Sequence, residues 1–395
     1  MNMKKEKSWD FKGENTKEYT HGFHTYPAMM IPQIARKLIK MYGKNAKVLL
    51  DPFCGSGTSI VEASLTPHIR EAYGFDLNPL AILISKSKTT KLDNFDPTYS
   101  LKKIMIEVKK IKKIKTPHFK NIDFWFKPKV IKDLTKLKIT INKIKDKDIK
   151  DFFFTYFSET IRNASNTRNS EFKLYRMPKD KLEKYNPNVF KEFKKICLKN
   201  LNGMEEYVKK VIPTKIYLGV GNSMHSPPIA SKSIDIIVTS PPYGDSKTTV
   251  AYGQFSRLAL QWLDYEEIHN LDNELLGGVA SKDLNVKINS PTLKKTIKKI
   301  AKEDEKRARE VLSFYNDFDK CVSELNRVIV IGGHICFVVG NRTVKGIQIP
   351  TDKIMVEMFK SKGRYKHIKT YRRNIPNKRM PIIQKIKDRL TFLKS

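Results

Sequence analysis

The feature that most limits this fold is a strand-like run that ends directly in two prolines. Ile234-Asp235-Ile236-Ile237-Val238 is apolar and β-branched, the composition of a buried parallel strand. Thr239-Ser240-Pro241-Pro242-Tyr243 follows without a break. Neither proline has a backbone N–H to donate, and both fix φ near about −65°, so the strand must stop there in a rigid, extended lip. Open α/β sheets hold their ligands at the carboxyl ends of strands. The lip offers a small hydroxyl, carbonyls with no competing N–H neighbours and an aromatic ring, a set able to grip a flat polar heterocycle.

An earlier segment has the form of a ligand turn. Lys47-Val48-Leu49-Leu50 reads as a short strand and Asp51-Pro52-Phe53-Cys54-Gly55-Ser56-Gly57-Thr58 as a glycine turn. A helix is expected through Ile60, Val61, Ala63 and Leu65. Gly55 and Gly57 let a ligand approach the backbone, and a helix start presents unpaired N–H groups. The full GxGxxG pattern is absent, so the turn alone does not define a ligand. A second strand, Ala72-Tyr73-Gly74-Phe75, ends in Asp76. Its distance from Gly57 is close to the ~20 residues that separate a phosphate or cofactor turn from a ribose-binding carboxylate. Ahead of the turn, Thr25-Tyr26-Pro27 precedes an amphipathic helix through Met30, Ile31, Ile34, Ala35, Leu38, Ile39 and Tyr42 that stops at Gly43.

Charge points to the partner. The chain carries 76 basic and 41 acidic residues, a formal +35 over 395 residues, and such a field favours a polyanion such as nucleic acid. The excess is concentrated: residues 101–150 hold 17 lysines against 5 acids. Residues 95–210 break the α/β rhythm, with helical patterns over 101–115 and 129–150 and interleaved aromatics, and read as an inserted helical module placed against nucleic acid. Within it, 161–170 reads as a polar loop whose Arg162, Asn166 and Arg168 are of the types that bond guanine and adenine edges. A second basic excursion spans 264–310. A core of 1–94, 211–263 and 311–395 remains, with a helix over 311–325 and strands over 327–331 and 334–339 split by Gly332-Gly333. Cys54, Cys197, Cys321 and Cys336 are dispersed and form no metal-type cluster, so neither zinc nor disulfides are expected. No run approaches the ~20 apolar residues of a membrane span and the N-terminus has no apolar leader, so the expected setting is cytoplasmic.

Taken in order, these segments resemble the amino-methylating DNA methyltransferases. Asp51 to Thr58 resembles their S-adenosylmethionine motif, and Thr239 to Tyr243 their catalytic motif, in the Ser-Pro-Pro-Tyr form typical of the cytosine-N4 group. The 25–34 segment resembles the cofactor motif that precedes the glycine turn, Asp76 the ribose acid, and 373–381 a basic motif near the target pocket. Asn222 and Ser223 match the third motif loosely, since an acid usually stands there. The resemblance covers roughly half of the chain and implies a Rossmann-like α/β methyltransferase sheet with helices on both faces. It implies S-adenosylmethionine as cofactor, without metal, bound by Tyr26, Pro27, Asp51, Pro52, Phe53, Gly55, Gly57, Thr58, Asp76, Asn222 and Ser223. Ser240, Pro241, Pro242 and Tyr243 would act on the exocyclic amine of a base flipped from duplex DNA. Arg162, Asn166, Arg168, Arg373, Lys378 and Arg379 would touch DNA, and a cognate restriction endonuclease is the implied biological partner. Cytosine-C5 chemistry is disfavoured because no cysteine follows a proline. Adenine-N6 methylation, RNA base methylation and a non-catalytic DNA-binding scaffold stand as alternatives.

Overall fold

The computed structural model describes residues 7–92, 95–168, 172–224, 229–243, 252–265, 271–373 and 388–394. Strands β1 (Val48–Asp51), β2 (Glu71–Asp76), β3 (Lys215–Val220), β4 (Ile234–Thr239) and β5 (Ile329–Gly340) run parallel in the spatial order β3-β2-β1-β4-β5. A small ribbon of β6 (Thr343–Val344) and β7 (Ile347–Gln348) follows. Strands β8 (Lys366–Arg372) and β9 (Asp388–Lys394) then extend the sheet, β9 pairing antiparallel with β5 and β8 with β9. The strand order reverses between β1 and β4, which opens a crevice at their carboxyl ends where such sheets bind ligands.

The central strands are apolar at successive positions because both faces are covered. Leu49, Ile236 and Cys336 are buried on one face with residues of α1 (Pro32–Tyr42), α2 (Thr58–Ser64) and α3 (Pro79–Thr89). Their chain neighbours Leu50, Ile237 and Phe337 belong to the other core. The architecture is therefore a Rossmann-like α/β sheet with helices on both faces.

A mostly helical module interrupts the sheet between β2 and β3, built from α4 (Pro97–Lys110), α5 (Pro128–Asn142), α6 (Lys147–Ala164) and α7 (Val189–Lys210). Its core holds Phe126, Phe152, Phe153, Tyr156, Phe157 and Phe193. Phe23 joins from upstream, and α8 (Tyr252–Trp262) contributes Leu258 and Trp262, whose ring lies 5.7 Å from that of Phe126. The module's core thus continues into elements that flank it in sequence. On the far side of the sheet, α9 (Pro291–Glu303) packs Leu293, Ile297 and Ile300 into the core with α10 (Glu305–Val328) and α11 (Thr351–Lys360). Lys294, Lys295, Lys298, Lys299 and Lys302 of the 264–310 segment sit on α9, which is anchored by that buried apolar stripe.

Several local expectations need correction. The 129–150 pattern is two helices, because the Asp146 side chain accepts the Ile149 amide at 2.9 Å and starts a new one. Helix α4 begins at Pro97, capped by Asp96, and ends at Lys110. Residues 327 and 328 close α10, and the two expected strands are one. Gly332, at φ +83°, takes up a register irregularity within β5 instead of ending a strand. Residues 161–164 form the last turn of α6, so the expected polar loop begins only at Ser165. Among the described residues no helix is long and apolar enough to cross a membrane.

Candidate active site

Three parallel strands end side by side in Asp51 (β1), Asp76 (β2) and Thr239 (β4). The Thr239 hydroxyl donates to Asp51 Oδ1 at 2.6 Å, and the Phe53 amide reaches the same oxygen at 3.2 Å. This bond ties the proline lip to the glycine turn across 188 residues of sequence. Burial pushes the Asp51 carboxyl up to about 6, against the lowering effect of the Thr239 bond. Asp76 takes the Gly55 amide at 3.0 Å on one oxygen and the Asn78 amide at 2.9 Å on the other. Its carboxyl is likewise raised by burial to about 6.

Gly55 holds φ +49°, and a Cβ there would meet only Tyr26 Cε1 at 3.8 Å, so the turn leaves an open cradle. Gly57, at φ +81°, serves packing: a Cβ would lie 2.8 Å from Ser85 Oγ on α3. The Tyr26 hydroxyl accepts from Asn78 Nδ2 at 3.0 Å, and its ring stacks on Tyr252 at 6.0 Å between centroids. Ser223 donates to the Pro52 carbonyl and thereby pins the loop after β3 to the turn.

These groups border one cleft of about 860 Å³ of empty space, counting the open solvent at its mouth. Tyr26, Pro27, Asp51, Pro52, Phe53, Gly55, Thr58, Asp76, Asn222 and Ser223 all line it, and Gly57 does not. Ser240 and Pro242 reach it from the lip, while Pro241 and Tyr243 do not line it. Ser240 Oγ donates to the Val338 carbonyl at 3.0 Å and lies 3.2 Å from the Tyr243 hydroxyl. The Tyr243 ring is half-buried against the sheet core.

The six residues expected at DNA are dispersed. Arg162 is buried on α6 with its guanidinium 4.3 Å from the Phe255 ring centre, and Asn166 is buried with its side-chain amide on the Phe124 carbonyl at 3.1 Å. Neither faces solvent for base readout as placed. Arg168 is exposed on a short turn-back in which Thr167 bridges Arg176. Arg373 is buried, its Nη1 3.4 Å from the Trp9 carbonyl. Lys378 and Arg379 lie outside the described residues.

Sequence reasoning missed Asn78, Tyr252, Leu275 and Leu276 of the cleft wall. Asn78 carried a signal, since Asn78-Pro79 directly follows the expected acid and its side chain caps α3. Leu275 and Leu276 carried none, standing in a segment whose charge suggested an excursion away from the sheet.

A switch-point sheet, a glycine cradle and a buried acid beside a Ser-Pro-Pro lip together mark an α/β protein with a ligand cleft at its switch point. Comparison with known proteins gives its family. Residues 2–87 match the family model described as DNA methylase. Type II methyltransferase M.MvaI of Kocuria varians is 46% identical over 399 residues, 94% of this chain and 87% of that protein. Type II methyltransferase M.MjaII of Methanocaldococcus jannaschii is 34% identical over 95 residues, 24% of this chain and 17% of that one. The rRNA methyltransferase aviRa of Streptomyces viridochromogenes superposes with a TM-score of 0.34 at 9% identity, covering 94% of this chain and 88% of that chain. The chain belongs to the type II DNA methyltransferases, enzymes that act on DNA with S-adenosylmethionine as methyl donor.

Proposed function

We propose that the enzyme methylates the exocyclic N4 amine of a cytosine flipped out of a specific duplex DNA site, protecting that site from a cognate restriction endonuclease. The observation that carries this reading is the Ser240 hydroxyl at the cleft wall. Its proton is directed to the Val338 carbonyl, so its oxygen is presented as an acceptor. An exocyclic amine is a poor nucleophile because its lone pair is delocalised into the ring. Acceptance of its N–H groups by Ser240 Oγ and the Pro241 carbonyl pyramidalises the nitrogen and localises the lone pair. Positioning and hydrogen bonding then carry the catalysis. The choice of cytosine rests on the resemblance of Ser240-Pro241-Pro242-Tyr243 to the motif of the cytosine-N4 group, with adenine-N6 methylation as the alternative. Tyr243, the aromatic residue of the lip, is the side chain assigned to stack on the flipped base.

S-adenosylmethionine, when bound, supplies an electrophilic methyl on a sulfonium. The glycine cradle and the two buried carboxylates fit that ligand. Asp76 has oxygen lone pairs for ribose hydroxyls beyond the two amide bonds it accepts, and Gly55 leaves the backbone bare beside it. Tyr26, Pro27, Phe53, Thr58, Asn222 and Ser223 form the remaining wall, and Asp51 keeps turn and lip in register. DNA lies across the lysine-rich module with Arg168 among its contacts; the sequence charge and the exposure of that arginine support this. The test is to incubate the enzyme with DNA and methyl-labelled cofactor, digest to nucleosides and identify the labelled one. Label in N4-methylcytosine is expected. Label in N6-methyladenine would replace the cytosine reading.

A further inference from the structure

Lys88 lies on α3, one turn beyond Ser85, and its side chain is fully buried. A buried ammonium is costly unless an anion or several acceptors surround it. Here Nζ reaches Ser56 Oγ at 3.3 Å and Met29 Sδ at 3.9 Å, a neutral hydroxyl and a weak acceptor. No carboxylate among the described residues forms an ion pair with it. Burial lowers its pKa to about 7, and Glu159 of α6 acts only at longer range to raise it. Both of its contacts, Ser56 and Met29, line the cleft. Ser56 directly follows Gly55, whose amide is held by Asp76. One turn therefore joins a buried acid on one side to a buried cation on the other.

The cofactor has matching polarity. Its nucleoside carries ribose hydroxyls that suit a carboxylate, and its other end carries an α-carboxylate. We propose that Lys88 is a positioning residue for that carboxylate: it donates to Ser56 Oγ and so turns the Ser56 proton toward the cleft, where the cofactor's carboxylate accepts it and supplies the missing counter-charge. This rests on the reading of the cleft as the cofactor site. The lysine replaced by an uncharged group would leave the nucleoside end of the site as it was.

The test is a comparison of two ligands by calorimetry on the whole chain. S-adenosylhomocysteine retains the amino-acid end; 5′-methylthioadenosine has the nucleoside and sulfur without it. Lys88→Met is expected to weaken S-adenosylhomocysteine on the order of tenfold or more and to leave methylthioadenosine within about twofold. Lys88→Arg, which keeps the charge, is expected to retain most of the preference. If Lys88→Met does not fold, as judged by its thermal melt, Ser56→Ala carries the test with the same selective loss expected. Equal weakening of both ligands, or of neither, overturns the proposal and leaves Lys88 as a structural residue bonded to Ser56. Wild-type protein that binds neither ligand overturns the cleft assignment itself, and the inference with it.

Discussion

The proline lip and the Arg/Asn stretch of the helical module are both short polar motifs, yet the fold treats them in opposite ways. The lip stands where the sequence puts it, at the end of β4 beside the glycine turn, with Ser240 on the cleft wall. In the module, Arg162 and Asn166 turn inward and only Arg168 of the three is exposed. The difference lies in what each motif constrains. Prolines and glycines act on the backbone through φ and the missing N–H, so their effect is local and depends less on tertiary context. Arginine and asparagine express a side-chain preference, and the surrounding helices decide whether that side chain meets solvent, a carbonyl or an aromatic ring.

The largest effect expected is on stability, where the module's core depends on a residue outside it. Trp262→Ala removes a fully buried ring that packs on Phe126 and Phe157 and should cost roughly 3–5 kcal/mol in denaturant unfolding. A cost near that of a surface substitution would mean that α8 does not share the module's core.

Next is the acid end of the cleft. Asp76→Asn should weaken methylthioadenosine and S-adenosylhomocysteine alike, by roughly 10–100-fold. The wild-type carboxyl titrates at about 6 because burial opposes its charge, and the ionised form is the better ribose acceptor. Affinity for both ligands should therefore fall as pH drops through about 6, which calorimetry across pH 5 to 8 would reveal; a flat profile would remove Asp76 from ribose binding.

A smaller effect separates the two arginines. Arg162→Ala should lower stability by about 1–2 kcal/mol through lost packing on Phe255, with DNA affinity unchanged in the folded fraction. Arg168→Ala should do the reverse, leaving the thermal midpoint in place and weakening DNA binding. A DNA defect from Arg162→Ala alone would put its guanidinium at the DNA. The smallest change is a slope: neutralising exposed lysines of 101–115, such as Lys102 and Lys109, should reduce the dependence of log affinity on log salt by roughly 0.9 per lost phosphate contact. An unchanged slope would place DNA elsewhere.

What was legible in the sequence follows the same division. The strand ends, the glycine turn and Asp76 were readable because each is a backbone event at fixed spacing. The break at Asp146 was written in a capping residue inside a continuous lysine-rich pattern, and the run of periodicity masked it. Gly332-Gly333 resembled a turn, but in β5 the partner strand continues and the positive φ is absorbed as an irregularity within the pairing. The Thr239–Asp51 bond and the two leucines of the cleft wall depend on contacts between distant segments, which no local pattern encodes.

On the proposed reading, chemistry belongs to the lip and not to the cofactor turn or the module. Single-turnover methyl transfer by Ser240→Ala, at saturating DNA and cofactor, tests it most directly. A rate lower by roughly 10²–10³-fold is expected, with S-adenosylhomocysteine affinity within about twofold of wild type. A variant that transfers methyl groups at the wild-type rate would contradict it.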